Sequence, residues 1–515
     1  MNLRLFAVLL SLSLFNGPLF SQSASRSQKP GPALAASTPA KTQDYSVPFV
    51  NRTLPNGLEV IVLSDRSVPI VTVELAVRNG SFTESPEFHG LSHLYEHMFF
   101  KPNFAMMIRD CEAAGQQFRF SVSQECKSAL DMRPRIGDIS YLKDANKISI
   151  FNGTTREEIV NYYFTTTSPY LATAIRYIND SVRFPRFDEE EFEAEKKVVI
   201  GEIDRHEANP FGFLDLALKQ KMFSKYPTRK DPQGTRESIR TSTIEKMQTI
   251  KSRYYVPNNS ALVVTGDANP EEVFRLAQQI FGSWERRPQD PFKEFPMVEH
   301  PPLDKSEGVI VEKNIEGSSS AAGEQNLFAM VGWHGPSIGK DDAATYAADV
   351  FSYIITQPDS RFQRNLVDSG LAASVNFGYY TQRNVGPINL VLVTRPEKAK
   401  EALKAAYSEV AQFTDAAYFS DAELENAKTI LETNDLFERE KLSEYAHILG
   451  FWWSSTGIDY FRTYHAKLRA VTRADINRYI KTYIHGKNHV AVALVSPESR
   501  RSAGISEADL IGGAK

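Results

Sequence analysis

The chain has 515 residues, of which 42% are hydrophobic and 24% are charged, so it is long and apolar enough for two or more globular domains. Its formal net charge is −4 and it contains no substantial basic run, which argues against a nucleic-acid-binding function. Beyond the N-terminal region, no apolar stretch approaches the length of a membrane-spanning helix.

The N-terminus is typical of an export signal. Arg4 precedes an apolar run over residues 5–15, Asn-Gly-Pro interrupts the run, and small residues follow. We predict a signal peptide over residues 1–23 and a flexible leader over residues 24–45. The mature protein is therefore expected in the periplasm of a bacterium or outside the cell, where disulfides persist.

Two strands, over residues 58–63 and 70–77, are predicted to open the folded part, and a helix follows them. Ser85 is a favourable N-cap, and Pro86 suits the first helical position, where its missing N–H costs nothing. The sequence therefore predicts that the helix begins at Pro86. Leu91, Leu94 and Met98 would form its buried face.

The other face of this helix carries the pattern His93-x-x-Glu96-His97. Histidines four apart present both imidazoles to one point, and Glu96 lies one turn from His93 on the same side. Two neutral nitrogen ligands and a nearby carboxylate are what a zinc hydrolase needs. A chance cluster of surface residues could show the same pattern, so this interpretation requires a third ligand.

A second helix, over residues 192–203, is predicted to follow an acidic run at residues 188–191. One stripe of this helix at i, i+3, i+4 and i+7 spacing contains Phe192, Glu195, Val199, Glu202 and Ile203. Carboxylates on an apolar stripe are costly to bury without a positive partner. A metal would satisfy one glutamate, and a hydrogen bond to a ligand histidine the other. Alternatively, both glutamates pair with Lys or Arg at the surface.

The chain is also predicted to be internally duplicated. Strands over residues 308–312 and 327–333 and a helix over residues 341–355 repeat the order of the first half, and late strands over residues 260–266 and 489–496 correspond. At the position of the metal motif the second helix has Ala347, Ala348 and Asp349 but no histidine. Strands and helices in blocks indicate an α+β fold.

The domain organisation follows from this duplication. We predict a zinc-binding catalytic domain over residues 46–285 and a polar, Pro-rich linker over residues 286–305. A homologous domain without the metal motif would occupy residues 306–515.

The motif His93-x-x-Glu96-His97, followed by Glu195 and Glu202 seven residues apart, resembles the pitrilysin or insulinase family of inverzincin zinc metallopeptidases. The branch that contains mitochondrial processing peptidase and its bacterial relatives is the most similar. The resemblance implies that His93, His97 and Glu202 bind one zinc ion and that Glu96 is the general base. It also implies that Glu195 supports the site by contacting a ligand.

The family resemblance extends to fold, substrate and partners. It implies two duplicated α/β-sandwich halves that form one side of a clamshell chamber, and substrates that are peptides or unfolded segments. One such chain supplies half a chamber, so a homodimer or a heterodimer with a related chain is expected. Relatives hold substrate with an Arg and a Tyr from a facing chain; Tyr380 and Arg383 are not in that register and are most simply solvated.

Two other functions remain open from the sequence. One is a non-catalytic chaperone-like or scaffolding subunit, but such subunits usually lack one or more site residues and this chain has all five. The other is a zinc-binding storage protein, which needs the ligands but no base, and Glu96 argues against it. The ion also remains open, since sites of two histidines and a glutamate accept several divalent metals.

The spacing between His97 and Glu202 is longer than the family usually shows. The excess lies at about residues 102–148, which we interpret as an inserted loop near the cleft. This insertion contains both cysteines of the chain, Cys111 and Cys126. They are either a local disulfide or two unrelated thiols, because sequence does not show their separation.

Overall fold

The computed structural model describes residues 46–117, 123–314 and 325–512. The predicted signal peptide and leader lie outside these residues. Within them, eleven strands form two sheets, one in each half of the chain. No helix in the described part combines the length and apolar character that crossing a membrane takes.

The sheet of the first half has six strands in the order β1-β2-β6-β3-β5-β4. Their bounds are Val50–Thr53, Glu59–Ser64, Ile70–Val77, Ile150–Thr155, Val160–Thr167 and Ser260–Gly266 for β1 to β6. β2 and β6 are parallel, and every other neighbouring pair is antiparallel. β4 is therefore an edge strand that pairs only with β5 in the described part of the chain.

The sheet of the second half has five strands in the order β7-β11-β8-β10-β9. Their bounds are Glu307–Glu312, Leu327–His334, Ser374–Tyr379, Pro387–Thr394 and His489–Val495 for β7 to β11. β7 and β11 are parallel, as their counterparts β2 and β6 are, and the other neighbouring pairs are antiparallel. This order repeats β2-β6-β3-β5-β4, so the predicted α+β fold in two duplicated halves is confirmed.

The helices of the first half run from α1 to α11 in chain order. Their bounds are Leu91–Phe99, Phe104–Gln117, Gln124–Asp131, Arg133–Ile136, Leu171–Arg183, Glu189–Ala208, Pro210–Met222, Arg236–Arg240, Ile244–Tyr254, Pro270–Phe281 and Pro291–Glu294. Helices α12 to α21 belong to the second half. They span Asp342–Thr356, Arg361–Gln363, Ala399–Gln412, Asp421–Glu438, Leu442–Ser455, Ile458–Arg462, Tyr464–Ala470, Arg473–Tyr483, Arg500–Ala503 and Glu507–Leu510.

Each half covers one face of the other half's sheet. Because side chains alternate along a strand, each sheet has two apolar faces to bury. One face packs on helices of its own half. On the other face of the first sheet, Leu449 and Trp453 of α16 pack in one cluster with Ile61 of β2. Reciprocally, Leu214 and Leu218 of α7 pack in one cluster with strands of the second sheet. The two halves therefore depend on each other for burial.

Helix α1 begins later than the sequence predicts. Pro86–Phe88 is a single 3-10 turn, Ser85 makes no capping hydrogen bond, and the α-helix starts at Leu91 after Gly90 at φ +79°. A Cβ at Gly90 would lie 2.8 Å from the Cα of Gly234, so the chain needs glycine there. The predicted start at Pro86 is wrong because this close approach ends the turn. The apolar face of Leu91, Leu94 and Met98 is buried as predicted.

In its described residues, the insertion is largely helical and not the predicted loop. It forms α2, α3 and α4 with a small core of its own, which includes Ile108 and Leu142. The Tyr141 hydroxyl donates a 2.7 Å hydrogen bond to Asp180 on α5, so the insertion packs on the helical layer of the first half. Cys111 and Cys126 are bonded to each other, with their Cα atoms 5.6 Å apart, and link α2 to α3.

Candidate metal centre

Two helices of the first half supply the candidate site. Helix α1 carries His93, Glu96 and His97, and helix α6 carries Glu195 and Glu202. The Asp188 side chain caps α6 by accepting from the backbone N–H of Glu191, as the acidic run before this helix suggests. The predicted stripe Phe192, Glu195, Val199, Glu202 and Ile203 is buried along its whole length. Both glutamates therefore face the protein interior.

The structure brings His93, His97 and Glu202 together. The Nε2 atoms of the two histidines are 3.4 Å apart, and each is 3.4 Å from Glu202 Oε2. Zinc ligands at bond lengths of 2.0–2.2 Å and tetrahedral angles lie roughly 3.3–3.6 Å apart. In the described part of the chain this is the one group of three such side chains with metal-binding spacing.

The chemistry of the donors also fits a cation. Glu202 Oε2 is buried and accepts no hydrogen bond from any described residue. A buried carboxylate oxygen without a partner is costly, and a metal ion would satisfy it. The three side chains thus fit a zinc ion in both spacing and chemistry.

Glu195 holds one of these histidines from behind. His97 Nδ1 lies 2.9 Å from Glu195 Oε2, and Lys101 Nζ lies 2.5 Å from Glu195 Oε1. Such a carboxylate orients the ring and fixes Nε2 as the free nitrogen. His93 Nδ1 has no equivalent partner among the described residues. Glu195 thus contacts a lysine as well as a histidine, but at a buried position and not at the surface as the alternative required.

Glu96 lies beside these donors, at the edge of the sheet. The Thr155 hydroxyl, at the end of β4, donates a 3.0 Å hydrogen bond to Glu96 Oε2. Glu96 Oε1 and Cγ lie against the backbone of Gly153, where a Cβ would be only 2.6–2.7 Å away. The Glu96 carboxylate therefore occupies space that only a glycine on β4 leaves open.

Burial and the neighbouring charges shift the pKa of each group. Burial raises the pKa of Glu96, and the two histidines counteract this only in part. Burial raises the pKa of Glu202, but the histidines outweigh it and hold that pKa well below its usual range. For His97 burial lowers the pKa, yet Glu195 and Glu202 raise it to about 10. The pKa values of the two carboxyl groups are therefore shifted in opposite directions, up for Glu96 and down for Glu202.

Several residues of the site carry no signal in the sequence. The Glu84 carboxylate accepts 2.7 Å hydrogen bonds from the N–H groups of Gly90 and Ser92 and so caps α1. Burial raises its pKa to about 7. In the usual capping box the glutamate is the third residue after the N-cap, inside the first turn of the helix. Glu84 precedes the helix, so its position in the sequence does not indicate a capping role. The roles of Thr155 and Lys101 are also invisible in the sequence, because each contacts a site residue that is distant along the chain: Thr155 contacts Glu96, and Lys101 contacts Glu195.

Tyr380 and Arg383 are not solvated, so that prediction is wrong. Both are half-buried between the two halves of the molecule. The Tyr380 ring stacks on Phe451 with centroids 6.0 Å apart, and Arg383 Nε donates a 2.7 Å hydrogen bond to the Ser455 carbonyl. Their partners come from α16, which sequence adjacency could not reveal.

Comparison with known proteins agrees with this fold. The family model "Insulinase (Peptidase family M16)" matches residues 59–126 and 140–235, and "Peptidase M16 inactive domain" matches residues 241–431. The zinc protease PqqE of Helicobacter pylori is 22% identical over 456 residues, which cover 88% of this chain and 94% of that protein.

Solved structures show the same architecture. A protease from Helicobacter pylori superposes with a TM-score of 0.71 at 20% identity and covers 87% of this chain and 99% of its own. The periplasmic protease PqqL from Escherichia coli matches at a TM-score of 0.64 and 14% identity, over 92% of this chain and 50% of its own. With the two family models covering both halves, the chain belongs to the pitrilysin or insulinase family of peptidases, family M16.

Proposed function

We propose that this protein is a zinc-dependent endopeptidase that hydrolyses peptides or unfolded polypeptide segments. The observation that carries the proposal is the triangle of donor atoms on His93, His97 and Glu202, with equal 3.4 Å sides, beside the Glu96 carboxylate. The similarity to proteins named zinc proteases supports it.

The residues of this chain have distinct roles in the proposed reaction. His93, His97 and Glu202 would hold the ion, and Glu195 would orient His97. Zinc in such a site acts as a Lewis acid and makes water acidic enough to supply a nucleophile near neutral pH. Glu96 accepts a proton from the attacking water and delivers it to the leaving amine. The Thr155 hydroxyl donates a hydrogen bond to Glu96 Oε2, so Oε1 is the oxygen that remains for this proton transfer.

The edge strand β4 supplies a place for the substrate backbone. Its outer edge is unpaired in the described part of the chain, and Gly153 on it lies against the base. An extended peptide that adds to this edge would present its carbonyls beside the metal donors. Ile150 and Phe151 on β4 are 57% and 58% exposed and would contact its apolar side chains. Only an extended, unfolded segment can pair in this way.

Partner and compartment are parts of the proposal. PqqL is about twice as long as the matched region, so one PqqL chain has room for two units that are each about as long as this chain. We therefore propose that this chain pairs with a second copy or with a related chain to close the chamber. The bond between Cys111 and Cys126 and the similarity to a protein described as periplasmic support a periplasmic or secreted location.

A cleavage assay with metal analysis tests the function. We expect one zinc per chain, hydrolysis of unstructured quenched peptides, loss of cleavage with a chelator and recovery with added zinc. Zinc without cleavage would favour a binding or storage protein. A chain with neither zinc nor cleavage would favour a scaffolding subunit.

Gly153→Ala tests the position of the base. The new methyl group would lie 2.6 Å from Glu96 Oε1, so the flexible carboxylate must move while the fold accommodates the change. We expect zinc to be retained and kcat to fall about 10²-fold, since a misplacement of 1 Å has an effect of this size.

Gly201→Ala is the matched control for this substitution. A Cβ at Gly201, on helix α6 beside Glu202, meets only Arg205 Nη1 at 3.8 Å. We expect unchanged activity there, with a gain in helix stability of about 0.5–1 kcal/mol. Normal kcat in Gly153→Ala would show that Glu96 does not need its observed position.

A further inference from the structure

The turn between β4 and β5 contains two adjacent carboxylates that the proposed reaction does not use. Glu157 and Glu158 are only 5% and 6% exposed, although residues of connecting segments are ordinarily solvated. Lys219 of α7 lies 2.9 Å from Glu157 Oε1. Burying two charges side by side is costly, so a turn that does this must gain firm partners.

The partners of Glu158 come from the second half. The backbone N–H of Arg383 lies 2.9 and 2.8 Å from the two carboxylate oxygens, and the N–H of Asn384 donates to Oε1 at 3.2 Å. Hydrogen bonds from N–H groups to a buried charged acceptor are among the stronger ones in proteins. One loop of the second half thus holds the end of a hairpin in the first.

This loop, residues 381–385, is itself firmly held. Lys230 Nζ, also buried, donates to the carbonyls of Asn384 and Val385 at 2.7 and 2.8 Å. Arg383 Nε donates to the carbonyl of Ser455 at the end of α16. Because Lys230 and the end of α16 both fix the loop independently of the turn, it can act as an anchor for the turn.

The turn leads directly to the base. Thr155 is the last residue of β4, immediately before the turn, and its hydroxyl donates to Glu96. Among the residues that the structure describes, β4 pairs on one side only, and an edge strand held by one ladder opens easily unless its ends are tied down. The anchored turn therefore sets where the Thr155 hydroxyl lies.

We propose that the half without the metal motif positions the general base: the 381–385 loop holds Glu158, the turn holds Thr155, and Thr155 holds Glu96. Glu158 is in this sense a positioning residue. The inference rests on the proposed peptidase function for its kinetic consequence, but its structural part does not.

Glu158→Ala in the mature full chain tests the inference with two measurements. We expect kcat per zinc-loaded molecule to fall about tenfold. Hydrogen exchange of the β4 amides that pair with β5 should accelerate about tenfold or more. In the double variant with Thr155→Val, kcat should lie within about twofold of the worse single variant, because both substitutions break one chain of contacts.

Glu409→Ala is the matched control. Glu409 is a buried carboxylate of α14 in the second half, far in sequence from the turn. It accepts hydrogen bonds from the side chains of Asn365 and Tyr418. We expect it to lower thermal stability without changing kcat or β4 exchange. This separates a positioning role from a general loss of stability.

Either of two results would overturn the inference: wild-type kcat and β4 exchange in Glu158→Ala, or fully multiplicative effects of the two substitutions. If Glu158→Ala does not fold, Glu158→Gln keeps one acceptor oxygen and must show the same changes in weaker form. A wild-type protein that binds zinc but cleaves no peptide would count against the proposed function alone, since the exchange measurement still decides the positioning.

Discussion

Glu96→Gln should abolish nearly all turnover while the protein keeps its zinc. Glutamine has the shape of glutamate and can still accept the hydrogen bond from Thr155, but it cannot take a proton from water. Removal of a general base of this kind lowers kcat by about 10²–10⁴-fold, and we expect about 10³-fold here. Steady-state kinetics on an unstructured quenched peptide, with zinc content measured on the same sample, checks this.

The zinc measurement makes the result specific to the base. Equal metal content and equal melting temperature in the two proteins would exclude a loss of the site or of the fold. Wild-type cleavage by Glu96→Gln would show that another group accepts the proton, and the assignment of Glu96 would then be wrong.

Glu202→Gln and Glu195→Gln should separate the metal ligand from the residue behind it. Glu202 Oε2 is one corner of the donor triangle, so an amide there should cost most of the bound zinc and all measurable activity. Glu195 contacts His97 on the far nitrogen, so the same change should weaken zinc binding by only about 10–100-fold. Zinc titration in a competing chelator measures both.

Saturating zinc provides the control for this pair. It should restore cleavage to Glu195→Gln but not to Glu202→Gln. If both variants bind zinc as the wild type does, the ion does not lie among His93, His97 and Glu202, and the proposed function loses its main support.

The local pattern of the sequence is sufficient for much of the fold. The stripe from Phe192 to Ile203 predicts a helix with two carboxylates on its apolar face, and that helix is present, capped by Asp188. The repeated order of strands predicts the two duplicated halves, which the sheets confirm. Both patterns are set by 2- and 3.6-residue periods, which depend on neighbours along the chain.

Local pattern fails where a distant segment decides the conformation. Ser85 and Pro86 satisfy every local criterion for a helix start, yet α1 begins at Leu91 because the backbone of Gly90 packs against Gly234. Tyr380 and Arg383 have the composition of an exposed turn, but α16 covers them. The long spacing of the motif predicts a loop at residues 102–148, whereas the described residues of this insertion form helices around a small core.

The candidate site shows the same division. The types and spacing of His93, Glu96 and His97 are enough to indicate metal chemistry, because two imidazoles four apart on a helix must converge. By itself, the sequence therefore determined the helix that carries Glu195 and Glu202 and the duplicated halves, and it indicated a candidate site for metal chemistry.

Only the tertiary structure decided which oxygen of Glu202 lies between the two histidines, what fills the space around Glu96, and which half secures β4. These features join residues that are far apart in the chain, as Glu96 is from Thr155, His97 from Glu202 and Glu158 from Arg383. No periodicity links such residues; they meet because each half buries one face of its partner's sheet.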